Sequence, residues 1–302
     1  MNTRSTSRFL ALILAFAALS LAAACAGRDN DVPTGISEPD RFLFERGAES
    51  LKEKRWFTAR EYYRRILDGY PQSQYREEAK LGVADSYLGE GTIESLLLAA
   101  NEYREFLTFY PTSPRADYAQ YKLGMVHFRQ MRGPQRDQTE TRAAVREFQT
   151  FMERYPNSQY REEVAQKLRE AQDRLSMSEY QVGYFYFRQG WNPGAIDRFR
   201  SILKSDPGFS YRDAVYFHLA EALLKLKLDA EALPLYEKLL AEFERSEYLE
   251  EARQRVVELR AALEKSGAQP PAADGQPKAS SRADGETSAQ GSGAGTSASR
   301  PD

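Results

Sequence analysis

Two histidines, His127 and His218, and a single cysteine, Cys25, are the side chains of this chain most able to hold a metal or attack a substrate. Neither histidine has a second histidine or a cysteine at ligand spacing, so no zinc centre is expected. Each falls inside a predicted helix and reads as a packed or half-exposed side chain. Carboxylate pairs such as Glu77-Glu78 could do acid–base work only in a cleft that drives their pKa values apart, and no such pattern surrounds them. No Ser-His-Asp order and no phosphate-gripping loop occurs. The stretch GSGAG at Gly291–Gly295 imitates one but stands among residues that cannot fold. The sequence therefore predicts a protein that is not an enzyme, with no metal and no cofactor.

Cys25 is different, because its position carries information. Arg4 and Arg8 precede an apolar run from Phe9 to Ala24, and Leu21-Ala22-Ala23-Ala24 leads directly into the cysteine. A basic flank, a short apolar core and small residues before a cut describe a signal peptide over residues 1–24. The run is short for a bilayer-crossing helix of roughly 20 residues. A sole cysteine at the cleavage position predicts lipidation at Cys25. Several acyl chains anchor a protein stably, at about 0.8 kcal/mol per buried methylene. Ala26, not aspartate, follows, which by the sorting rule of bacterial lipoproteins points to the periplasmic face of the outer membrane. With one cysteine, no intrachain disulfide can form.

The two ends bound the body. Residues 25–39 read as lipidated N-terminus and linker. Residues 266–302 hold no aromatic or branched aliphatic side chain and read as a disordered Gly/Ala/Ser-rich tail. Residues 40–265 are long enough for a sizeable core. Net charge is −2, or −4 without Arg4 and Arg8, and gives no field for nucleic acid.

What would position any partner-binding residue is a repeat. The phrase Tyr-Pro-Gln-Ser-Gln-Tyr-Arg-Glu-Glu at Tyr70 returns at Tyr155 with one change. Upstream of Pro207 stand Gly183, Tyr186, Ala195, Phe199 and Ile202. The same steps upstream of Pro71 give Gly47, Ala59, Tyr63 and Ile66. Partial copies read Ala99, Tyr103, Phe106, Pro111, then Ala144, Phe148, Phe151, Pro156. A fifth reads Ala220, Leu223, Ala232, Tyr236, Leu239. Small residues let two helices approach, aromatics four residues on fill the groove, and proline ends the second helix. Ser73 and Ser158 are expected to cap the following helix, with Glu77, Glu78, Glu162 and Glu163 at its positive end. Ser113-Pro114 and Ser210 with Asp213 are read the same way. The pattern resembles the tetratricopeptide repeat. It predicts an all-α solenoid of about five helix–turn–helix repeats plus a C-terminal capping helix near 247–265. Insertions fall at Gly89-Glu90-Gly91-Thr92 and at Gln130–Glu140. Such a superhelix offers a concave binding surface and no built-in chemistry.

The run Tyr184-Phe185-Tyr186-Phe187 is too aromatic to be buried whole. Four consecutive helical residues cover most of the circumference, so Tyr186 and Phe187 are expected inside and Tyr184 or Phe185 outside. An outward ring near Arg188 and Arg198 is a candidate interface anchor; the plain alternative for both arginines is a solvated helix face.

From Pro39 to about Glu251 the chain resembles the BamD family, the tetratricopeptide lipoproteins of the outer-membrane β-barrel assembly (BAM) machine. The resemblance rests on Asp117-Tyr118-Ala119-Gln120-Tyr121 with Gly124, on Arg142–Phe148, on Tyr155–Tyr160, on Asp173-Arg174-Leu175 with Glu179-Tyr180, and on the long loop with Arg136-Asp137. It implies binding to BamA and other BAM subunits and to unfolded outer-membrane proteins. It places Arg198 at the family's BamA-contacting arginine and matches the family's preceding aromatic pair with Phe185 and Tyr186; together with the outward-facing rings read above, Arg198, Phe185 and Tyr184 are the expected BamA contacts. Pro193, read in the turn before that helix, and the long tail depart from the pattern. A second reading is a periplasmic scaffold for cell division or peptidoglycan synthesis; the linker lacks the heptads that such proteins carry. A repeat-bearing hydrolase would need a catalytic domain that the sequence does not show.

Overall fold

The computed structural model describes residues 35–266 together with Val32. Signal segment 1–24, Cys25, most of the linker and the tail beyond Ser266 lie outside these residues. Among the described residues there are eleven α-helices and no strand. They are α1 Pro39–Lys52, α2 Trp56–Gly69, α3 Arg76–Glu90, α4 Ile93–Phe109, α5 Ala116–Phe128 and α6 Thr139–Arg154. There follow α7 Arg161–Arg188, α8 Asn192–Ser205, α9 Arg212–Lys225, α10 Asp229–Glu242 and α11 Leu249–Ser266. Consecutive helices pack as antiparallel pairs, α1/α2 through α9/α10, each pair stacks on the next, and α11 closes the stack. This is a tetratricopeptide solenoid of five pairs and a terminal helix.

The pairs close on small residues. Ala59, Ala99, Ala144, Ala195 and Ala232 are fully buried, and the rings four residues on, Tyr63, Tyr103, Phe148, Phe199 and Tyr236, fill the gap. Burying one such ring contributes about 2–3 kcal/mol. Tyr63 shows how little room is left. A Cβ on Gly47 would stand 2.7 Å from its ring on one side, and one on Gly82 would stand closer still on the other. Gly124 against Phe148 and Gly183 against Phe199 repeat the arrangement. Pro71, Pro111, Pro156 and Pro207 are exposed and pack against little. Each lies just past a helix, where a ring without an N–H stops the next turn.

The serines do something other than cap helices directly. Ser73, Ser113 and Ser158 sit two residues before the N-cap position, and Pro114 likewise precedes α5. Each hydroxyl accepts the N–H two residues on, at 3.1–3.2 Å. It donates to a carboxylate one repeat earlier: Ser73 to Asp40, Ser113 to Glu77, Ser158 to Asp117, at 2.6–2.7 Å. Ser210 to Asp173 and Ser246 to Asp213 complete the series. Asp40, Glu77, Asp117 and Asp213 all lie in the first turn of their helices. The repeated phrase is thus a joint that also staples neighbouring repeats.

One step in the series is long. α7 runs 28 residues, and Asp173, the acceptor for Ser210, lies in its middle. Residues 161–172 extend the first helix of the fourth repeat toward the third. The early half packs Val164 and Leu168 with Phe148 and Phe151. The late half packs Met177 and Tyr180 with the core of α8–α11. Pro193 stands in the first turn of α8, not in the turn before it, where its missing N–H costs nothing. The inserted loop 129–138 is held by the buried Gln138, whose amide donates to the carbonyls of Gly133 (2.8 Å) and Arg136 (2.9 Å). Thr141 donates back to the Gln138 carbonyl oxygen at 2.8 Å.

Candidate partner-binding surface

Arg198 rises from α8 beside the close crossing of α7 and α8. A Cβ on Gly183 would lie 2.8 Å from the Phe199 ring and 3.1 Å from the Arg198 Cβ, so the crossing fixes where the arginine leaves the helix. Its guanidinium donates to Glu179 at 2.8 Å, with both side chains about half exposed. An exposed pair of this kind contributes ~0–1 kcal/mol, so a partner's carboxylate can exchange for Glu179 at small cost.

The aromatic run divides into two groups. Phe185 is 51% exposed and meets Trp191, 60% exposed, edge to face at 6.4 Å. Tyr186 lies half-buried beneath them, 5.6 Å from Trp191, and against Gly194. Tyr184 turns the other way: it stacks on Tyr180 at 6.0 Å and approaches His218 of α9 edge-on at 4.9 Å. Tyr184 and Phe185, one or the other of which was expected outside, are both exposed and belong to different ring clusters one step apart around α7. Phe187 is half-buried, with the Lys225 ammonium 3.8 Å over its ring.

Sequence reasoning missed the cluster around His218. Tyr180, Tyr184, Phe187, Phe199, Phe217 and Tyr248 all place rings within 6.3 Å of the imidazole. Nδ1 donates to the Ala214 carbonyl at 2.8 Å, with the Tyr180 hydroxyl at 3.1 Å. Burial pushes the imidazole below its ordinary value of 6.5, against the pull of the Ala214 carbonyl and of Glu221, Glu247 and Glu251. The readable signal was the spacing of Tyr180, Tyr184 and Phe187, a helical stripe. His127 is engaged by Glu140 at 2.7 Å and Arg104 at 3.1 Å.

Polar groups elsewhere serve the joints. Burial opposes the charge of Asp206, but hydrogen bonds from Arg169 and Ser176 outweigh it and hold the carboxyl below its usual range. Asp85 accepts from Tyr103 (2.5 Å) and Tyr118 (3.0 Å), and burial raises its pKa in spite of both. Among the described residues no group of His, Cys, Asp or Glu could hold a metal, and no helix is long and apolar enough to cross a membrane.

Residues 37–234 match the family model described as YfiO: Outer membrane lipoprotein. The chain belongs to this YfiO family. Its curated relatives include the outer membrane protein assembly factor BamD of Caulobacter vibrioides, 30% identical over 214 residues, 70% of this chain and 68% of the relative. BamD of Vibrio cholerae is 26% identical over 200 residues, 63% of this chain and 80% of the relative. The match meets the resemblance to BamD carried by the Asp117–Gly124 and Tyr155–Tyr160 stretches. A loosely similar solved structure is the TPR2AB-domain:pHSP90-complex of yeast Sti1. It is 14% identical, covers 76% of this chain and 86% of that one, and has a TM-score of 0.42. The YfiO match spans all the helices of the first four repeats and thus both candidate contacts on α7 and α8.

Proposed function

We propose that the chain is a non-catalytic adapter in the assembly of outer-membrane proteins, a lipoprotein anchored through Cys25 at the periplasmic face of the outer membrane. The observation that carries this reading is the 30% identity to a BamD over 70% of the chain. The fold adds a surface of stacked helix pairs, with Arg198 and Phe185 exposed on α8 and α7. In this reading BamA docks on α7 and α8. Arg198 exchanges Glu179 for an acidic partner residue, and Phe185 with Trp191 supplies the apolar anchor. Tyr184 contributes from the neighbouring cluster. Unfolded client segments lie in the concave groove and are passed on, the driving force being the client's folding into lipid. Anchoring raises the local concentration of the solenoid near its partner.

Co-purification from membranes tests the docking face. Arg198→Glu should lower the recovery of BamA at least tenfold while helical content stays constant, and unchanged recovery would move the interface elsewhere. Cys25→Ser should release the protein from membranes. Depleting the protein should reduce many barrel proteins together, and normal barrel levels would count against the adapter role.

A further inference from the structure

Arg200 stands two residues after Arg198 on α8, about 200° further round the helix, and so serves another surface. Its guanidinium reaches across to Glu231 of α10 at 2.6 Å, with both side chains about half exposed. That pair spans a groove of about 640 Å³ between α8 and α10, with α9 as its floor. Leu219 and Leu223 of α9 close the bottom and are almost fully buried. Half-buried Leu203, Pro234 and Leu235 form apolar walls, and exposed Lys204 and Lys238 stand at the edges. The lining thus holds three cations against one carboxylate, in a chain whose net charge is −2. Lys204 and Lys238 pair with no carboxylate among the described residues.

The matching groove between α4 and α6, over α5, is bridged instead. His127 takes there the step that Leu223 takes in α9, and it joins Arg104 to Glu140 at 3.1 and 2.7 Å. The wall of the open groove is unusual as well, because Pro234 stands inside α10. In the other second helices the same place, two residues past the buried alanine, holds Glu61, Asn101, Arg146 and Asp197. Proline has no N–H to return to the carbonyl of Ala230, and an interior proline costs helix stability. The groove therefore keeps a wall that the helix alone disfavours, beside two lysines without carboxylate partners.

We propose that this groove docks an acidic segment of a partner protein, a helix in which glutamate or aspartate flanks leucine-like side chains. The apolar side chains settle between Leu203 and Leu235, as an amphipathic helix seats in a groove. The carboxylates meet Lys204 and Lys238 and share Arg200 with Glu231. Apolar walls and a carboxylate in the lining suit such a peptide better than a phosphate-rich strand, which is held chiefly by cations. The inference goes beyond the adapter reading. Groove and Arg198 lie on opposite sides of α8, so both can be occupied together.

The test follows the fluorescence anisotropy of a labelled helical peptide, leucine at every third or fourth place and glutamate between, as the full chain is added. Binding is expected, and it should weaken as salt rises. The same peptide with glutamine for glutamate, or with serine for leucine, should bind about tenfold more weakly. Lys204→Gln with Lys238→Gln should weaken the parent peptide about fivefold. Glu231→Gln removes the one carboxylate and frees Arg200, so it should tighten binding about twofold. Pro234→Ala returns the missing N–H, and should raise the melting temperature while weakening the peptide. Arg142→Gln with Arg146→Gln, exposed on α6, should change nothing. Failure of the full chain to bind the peptide, equal binding of the glutamine or serine peptide, or equal loss from the α6 pair overturns the proposal. Arg198→Glu should leave peptide binding intact, so BamA recovery and peptide binding are read separately and either reading can fall alone.

Discussion

Ser158 Oγ donates to Asp117 Oδ2 at 2.6 Å, joining the start of one repeat to the first helical turn of the repeat before it. The same bond recurs at every joint of the solenoid. A hydrogen bond to a charged acceptor contributes about 1.5–3 kcal/mol, so the joints are energetic features as well as turns. Ser158→Ala should lower stability by about 1–2 kcal/mol in urea unfolding. In a double-mutant cycle with Asp117→Ala the two losses should fall short of additive by at least ~0.5 kcal/mol. Strict additivity would mean that the bond contributes nothing.

Glycine contacts set the spacing of the pairs. Gly82→Ala drives a methyl into the Tyr63 ring and should cost about 1–3 kcal/mol. Gly69→Ala meets open space within α2 and should be neutral or slightly stabilising. Thermal melts of the two variants should move in different directions, and similar melts would show that the Tyr63 contact can relax.

The aromatic surround of His218 predicts a pH dependence. Burial favours the neutral imidazole, so the unfolded chain takes up a proton before the fold does. This contribution to stability is full above pH 6.5 and declines as pH drops below that value toward the lowered folded pKa. His218→Phe keeps a ring in place and should flatten the dependence of Tm on pH between 7.5 and 5. An unchanged slope would assign the dependence to other groups.

Gln138 holds the long loop from within. Gln138→Ala removes both donations to Gly133 and Arg136 and the acceptor for Thr141. Trypsin should then cut at Arg132 or Arg136 at least tenfold faster, while the rest of the solenoid resists. Unaltered cleavage would show that the loop is ordered by other contacts.

The repeat architecture was legible because it is written in residues that act locally. Proline ends a helix wherever it stands, and the alanine-to-aromatic step of four matches one helical turn. The serine staples were not legible, because their acceptors lie 33–41 residues away. Local chemistry pointed to caps instead. The extra chain between Pro156 and Gly183, 27 residues against 11 from Pro71 to Gly82, was not among the insertions read from the sequence, although the spacing carries it. It did not say that one unbroken helix would use it. On the candidate face of α8, Arg198 could be placed by its neighbours Ala195 and Phe199. The separation of Tyr184 from Phe185 depends on His218, which arrives from the next repeat.

Because α7 runs without a break from the core of the third repeat into that of the fourth and fifth, the solenoid has no hinge at its middle. Whatever seats itself near Arg198 therefore bears on the same helix that carries Val164 and Leu168 into the core of the third repeat.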